Sequence, residues 1–120
     1  MNKNLKHLVT GTLAAIAVFG ASGTAFAANH SCTVNYVGAA GNRVHVRCTA
    51  AKADGSAQVF WFAVANTDST LANRLLSLGT TAIVSGRPLS IDFTAGDTSG
   101  ASFGCQSNDC RKATGVALVR

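Results

Sequence analysis

From Cys32 to Thr49 the chain alternates in steps of two. The stretch reads CTVNYVGAAGNRVHVRCT. Even positions Cys32, Val34 and Tyr36, then Val44, Val46 and Cys48, carry apolar groups. Thr33, Asn35, His45, Arg47 and Thr49 between them are polar. Period-two alternation on both sides of GAAGN predicts a β-hairpin with one buried face. A centre near Ala40 sets Cys32 opposite Cys48, and a slip of one residue would break that register. Residues 51–57, AKADGSA, read as a turn with Asp54-Gly55 at its tip.

Residues 58–65, QVFWFAVA, are dense in β-formers with apolar groups on both faces. They predict a central strand, or one whose second face meets another subunit. Next, Leu71, Leu75, Leu78 and Ala82 share one face at helical spacing, with Ala72, Leu76 and Ile83 beside them. Asp68 or Ser69 supplies an N-cap, and Gly86 followed by Arg87-Pro88 supplies the stop, so the helix spans roughly 70–85. Leu89, Ile91 and Phe93 alternate with Ser90 and Asp92 as a further strand. A Gly/Ser-rich loop follows, and GVALV (115–119) reads as the last strand. The fold class is therefore mainly β with one helix. Five strands with the helix between strands 3 and 4 is the order of a five-stranded OB-fold barrel, whose open end the leucine stripe would plug.

The N-terminus decides how the cysteines are read. Lys3 and Lys6 precede an apolar stretch richest from Leu13 to Phe19, and Ala25-Phe26-Ala27 gives an A-x-A site. This is the pattern of a secretory signal peptide, residues 1–27, cleaved to leave a single domain, 28–120. The apolar core is too short and too interrupted for a spanning helix, and no later segment could cross a bilayer. The product is expected to be secreted or periplasmic. All four cysteines, Cys32, Cys48, Cys105 and Cys110, survive cleavage. In an oxidising compartment they read as two disulfides. Their spacing fits neither a zinc site nor a C-x-x-C redox motif. Four cysteines allow three pairings; the local pattern points to Cys32–Cys48 and Cys105–Cys110.

Charge and composition exclude more than they assign. The ten Lys/Arg and five Asp give +5, and losing Lys3 and Lys6 leaves eight against five, or +3. The basic residues are scattered apart from Arg111-Lys112, which does not make a nucleic-acid face. His30 and His45 are the only histidines left after cleavage. His30 reads as part of a mobile N-terminal tail and His45 as a solvated residue on the polar strand face. No serine or cysteine has a base and an acid at a telling spacing, and the five aspartates suit turns. No catalytic residue, metal site or cofactor is expected. The candidate binding residues are Trp61, as a stacking or contact residue in place of plain core packing, and Arg111 with Lys112, as an anion-attracting pair in place of a solvated one.

Three features together resemble a known family. Cys32 and Cys48 enclose fifteen residues of a hairpin; LANRLLSLGTTAIVSGRPLSIDF reads as a helix, a Gly stop and a basic-hydrophobic strand; Cys105 and Cys110 enclose four residues. In this order they resemble the B subunits of AB5 toxins of the subtilase cytotoxin and typhoid toxin type. The resemblance implies an OB-fold with two disulfides, a homo-oligomer of five, glycan recognition and delivery of a catalytic A subunit. Two departures stand out. The family carries a strand before its first cysteine, bearing sugar-pocket residues, where this chain offers only Ala28 to Ser31. This chain also adds a strand after its second cysteine pair. The expected function is an exported, non-catalytic, glycan-binding module. The alternatives are a monomeric envelope protein that binds another protein, such as a hydrolase inhibitor, or a purely structural barrel.

Overall fold

The computed structural model describes residues 26–120. The leader expected over residues 1–27 lies outside the described residues up to Ala25. The elements in chain order are β1 (Ala27–Cys32), β2 (Val34–Ala40), β3 (Arg43–Asp54), β4 (Ala57–Ala65), α1 (Ser69–Ser85), β5 (Leu89–Thr94), a 3-10 turn (Ser99–Phe103) and β6 (Cys110–Leu118). The fold is mainly β with one helix. It has six strands and the helix follows β4, where the sequence predicts five strands and a helix after the third.

The six strands form one sheet in the order β1-β5-β6-β4-β3-β2. All neighbours are antiparallel except β4 and β6. β1 and β2 occupy opposite edges although only Thr33 separates them in the chain. β1 nevertheless touches β3, so the sheet curls back on itself. Val46, Val59, Phe62, Val64, Leu89, Ile91 and Phe93 fill the inside of that curl. Helix α1 packs against β2, β3, β6 and β4 through Ala72, Leu75, Gly79 and Ala82.

The helix forms where its caps predict. The Asp68 carboxylate accepts from the Leu71 N–H at 3.4 Å, and Gly86 closes the C-terminus at φ 69°, its N–H donating to Ala82 O. Gly79 lets the helix approach the sheet, because a Cβ there would lie 2.9 Å from Val37 Cγ2. That approach rotates the buried stripe toward small residues. Leu71 and Leu78 pack at its edge, while Leu76 and Ile83 are 40% and 43% exposed.

β1 is the element missed in the sequence. The sequence predicts a tail over residues 28–31 with His30 mobile, yet Ala27–Cys32 pairs with β5 from Ala27↔Thr94 to Cys32↔Leu89. Its small polar residues carry no apolar period. The pairing comes from β5, and Asn29 Nδ2 strengthens it by donating to Ser90 Oγ at 2.6 Å and Asp92 Oδ1 at 2.8 Å. His30 is accordingly fixed, with Nε2 3.1 Å from Ala50 O and its ring 5.8 Å from that of Phe62.

The hairpin register also differs. The turn is Gly41-Asn42, with Ala40↔Arg43, and the register shifts between Tyr36 and Val34, which faces Cys48. Cys32 is therefore not paired across the hairpin. The Cys32–Cys48 disulfide forms all the same, joining the end of β1 to β3. The second bridge is Cys105–Cys110. Among the described residues no helix is long and apolar enough to cross a membrane.

Candidate functional site

Two irregularities in the sheet build the site. The first is the shift between Val34 and Tyr36. A regular strand would keep both on one face. Val34 stays in the core at 8% exposure, whereas Tyr36 turns outward at 47%. The second lies between Arg47↔Trp61 and Lys52↔Val59, where four residues of β3 face one of β4. At this bulge both the Phe60 and Trp61 N–H groups donate to Asp109 O at 3.0 Å. The strand changes phase there, so Val59 and Phe62 both point inward while Trp61 joins the outer face.

Tyr36, His45 and Trp61 meet on that outer face. The Tyr36 and His45 rings are parallel within 6° at 5.6 Å, and the Trp61 ring stands edge-on to both, at 5.5 and 5.4 Å. Gly38, opposite His45, makes room for the tyrosine, because a Cβ there would lie 2.7 Å from the phenol ring. The Arg47 guanidinium lies 5.1 Å from the Phe60 ring centroid and 6.0 Å from that of Trp61.

Beyond these rings the segment carrying the second disulfide folds over the sheet. Cys105, Cys110 and Ala63 form a small buried cluster, with Trp61 and Phe103 packed on it. The second apolar face of β4 is thus covered by the chain's own loop. Between this loop and the sheet lies a half-open cleft of about 220 Å³, lined by Arg43, His45, Trp61, Gly104, Gln106, Asp109 and Cys110. Arg43 Nη1 donates to Phe103 O at 3.1 Å. Gly104 sits at φ 91°, and a Cβ there would collide with the Arg43 guanidinium. No ion pair involving Arg43 occurs among the described residues.

Burial, and then the Arg43 charge, hold the His45 imidazole below its ordinary pKa. Its Nδ1 is enclosed with no hydrogen-bond partner among the described residues. The sequence reading of His45 as a solvated side chain is corrected: it is a half-buried ring whose surroundings favour the uncharged form. Among the described residues no carboxylate bonds its Nδ1. No group of three metal-ligating side chains occurs among the described residues. The cleft's equipment is aromatic edges and faces, one unpaired guanidinium, one carboxylate and one amide.

The candidate residues from the sequence separate. Trp61 lines the cleft. Arg111 does not; its side chain is 4% exposed, Nε lies 2.6 Å from Asp54 Oδ2, and Nη1 donates to Ser107 O at 2.6 Å and Cys110 O at 2.7 Å. It is neither a solvated residue nor part of a surface pair. Lys112 is 40% exposed, 3.8 Å from Asp97. It borders a second, larger depression of about 490 Å³ between the start of α1, Phe103 and β6, whose lining mixes apolar residues with Thr67, Asp68 and Thr114. Arg111 and Lys112 part company because both lie in β6, which begins at Cys110, five residues before the strand expected at 115. Successive strand residues point to opposite faces. Tyr36, Arg43, Gln106 and Asp109 escaped the sequence reading. Only the paired bulges and the fold-back of the loop unite them, and neither has a local signature. No protein family and no curated protein matches this chain.

Proposed function

We propose that this chain is an exported, non-catalytic binding module with an OB-like barrel, and that its ligand is a glycan held in the cleft beside Trp61. Read as one strand bent at Thr33, β1 and β2 reduce the count to five and place the helix between the third and fourth. The sheet order then follows that of the OB-fold. In such barrels the outer face of the second and third strands, with the loop between the fourth and fifth, binds oligosaccharides and oligonucleotides. Here that region is β3, β4 and residues 95–109. The observation that carries the reading is the cleft there, with Trp61 as wall and Arg43, Gln106 and Asp109 as polar groups. A sugar offers an apolar ring face to an aromatic side chain and hydroxyls to polar ones. The export pattern and the modest net charge favour a sugar over a nucleic acid. Arg43, which has no acidic partner among the described residues, suits a ligand with an anionic substituent.

The leader pattern and the two disulfides support a periplasmic or secreted location. The toxin-type resemblance adds a ring of five as the assembly, for which the exposed apolar helix residues Leu76, Ile83 and Val84 offer a contact surface. The second reading, docking of another protein, draws on the Tyr, Trp and Arg content of the same patch, the residue types that dominate protein-binding hot spots. A glycan array probed with the oxidised mature domain tests the first reading. Binding to a defined set of glycans that Trp61→Ala abolishes is the expected result. Silence across sialylated and neutral glycans overturns it. Light scattering at one protomer's mass removes the ring.

A further inference from the structure

The Cys105–Cys110 bridge closes a loop on itself. It does not by itself determine where that loop lies relative to the sheet. The Trp61↔Cys110 strand pairing and the Asp109 carbonyl anchor the end of the loop, and a buried side-chain pair ties it to two further segments. The Asp54 carboxylate, at the end of β3, accepts from the Gly96 N–H with both oxygens, at 3.1 and 2.9 Å, and from Arg111 Nε at 2.6 Å. The same guanidinium then reaches Ser107 O and Cys110 O. One buried pair thereby joins the tip of the β3–β4 hairpin, the turn after β5 and the disulfide loop. These segments are brought together by no other side-chain bond of comparable burial among the described residues. Two cleft residues, Gln106 and Asp109, stand on the loop so held, and Asp109 O receives the Phe60 and Trp61 amides at the bulge.

We infer that Asp54 and Arg111 are positioning residues that hold the 105–110 loop as a preformed wall of the cleft, so that a ligand meets the wall already in place. The consequence for a ligand rests on the glycan-binding reading above; the consequence for the loop does not. Lysine cannot substitute for Arg111, because its single nitrogen cannot bond Asp54 and two carbonyls in the fixed fork of a guanidinium. Preorganisation of this kind raises affinity by lowering the ordering cost on binding.

The test compares the oxidised wild-type domain with Arg111→Lys, which keeps the charge, and Asp54→Asn, which keeps the shape. Amide hydrogen exchange is followed by NMR at Phe60 and Trp61, whose N–H groups bond the loop, and at Ile91 in the core. Exchange at Phe60 and Trp61 should quicken at least about tenfold in both variants while Ile91 is unchanged. Unchanged exchange at Phe60 and Trp61 overturns the inference. So does an equal rise at Ile91, or failure of both variants to fold, since the pair is then a stabiliser of the whole fold. The same three proteins are applied to the glycan array, where the variants should lose about tenfold in signal. A silent wild type sinks the glycan reading and the ligand half of this inference together, but the exchange data still decide the loop. A positive array with equal signal from the variants overturns the positioning role alone.

Discussion

Removing the Cys32–Cys48 bond is the sharpest test of how the curled sheet is held. Both sulfurs are fully buried. The bond spans 16 residues and joins the last residue of β1 to the middle of β3. In the chain-entropy treatment, closing a loop of that length removes about 10 cal/mol/K from the unfolded ensemble, or about 3 kcal/mol at 25 °C. Replacing both cysteines by alanine also leaves a small void, costing about 1 kcal/mol more. The loss of about 4 kcal/mol is a large share of the total for a domain of this size. It corresponds to a fall in Tm of roughly 16–30 °C. The effect should not be uniform. β1 is an edge strand paired only with β5, and apart from Cys32 it buries little. Without the bond its amides should exchange much faster than those of β3 and β4. Guanidinium unfolding of the double variant, followed by circular dichroism, supplies the global figure, and amide exchange supplies the local one. A loss below about 1 kcal/mol, or β1 amides as protected as those of β3, would refute the view that this bond holds the curl.

Five further outcomes are expected. Trp61→Ala should fold, because the ring is only half-buried, but should lose glycan binding on the array; outright unfolding would make Trp61 a core residue instead. Gly104→Ala should cost about 1–3 kcal/mol from the left-handed backbone and expel the Arg43 guanidinium, weakening binding of an acidic sugar more than that of its neutral analogue. Gly79→Ala should destabilise the domain by about 1 kcal/mol in urea melts, since crowding of Val37 and Val46 outweighs the gain in helix propensity; a more stable protein would disprove the close approach of helix and sheet. Stability should fall as pH drops below the ordinary histidine range. His45 has a lowered pKa when folded, so the unfolded chain takes up the proton first, and His45→Phe should flatten this part of the profile in urea melts between pH 7 and 5. A further loss belongs to strongly acid pH. Burial pushes the Asp54 carboxyl up, but the Gly96 N–H and the Arg111 hydrogen bond and charge outweigh it and leave the group below its ordinary value. Its contribution is present above the unfolded carboxylate pKa and lost as pH falls through the folded one, a step that Asp54→Asn should remove.

The residues themselves settled whatever depends on neighbours in the chain. Asp68 and Gly86 bound the helix, because a cap acts within one turn. Leu89, Ile91 and Phe93 define a strand face, because the period is local. The disulfide partners were legible as well, each being the nearest available cysteine in sequence. Tertiary structure decided the rest. β1 is a strand because β5 lies beside it, although Ala27–Ser31 carries no pattern of its own. Tyr36 left the core face and Trp61 reached the outer one through register shifts between paired strands, which no single strand's residues announce. Arg111 and Lys112 look alike in the sequence, yet one is buried against Asp54 and the other is half exposed. A strand's register fixes which face each side chain takes, and register is a property of the pair of strands, not of either alone.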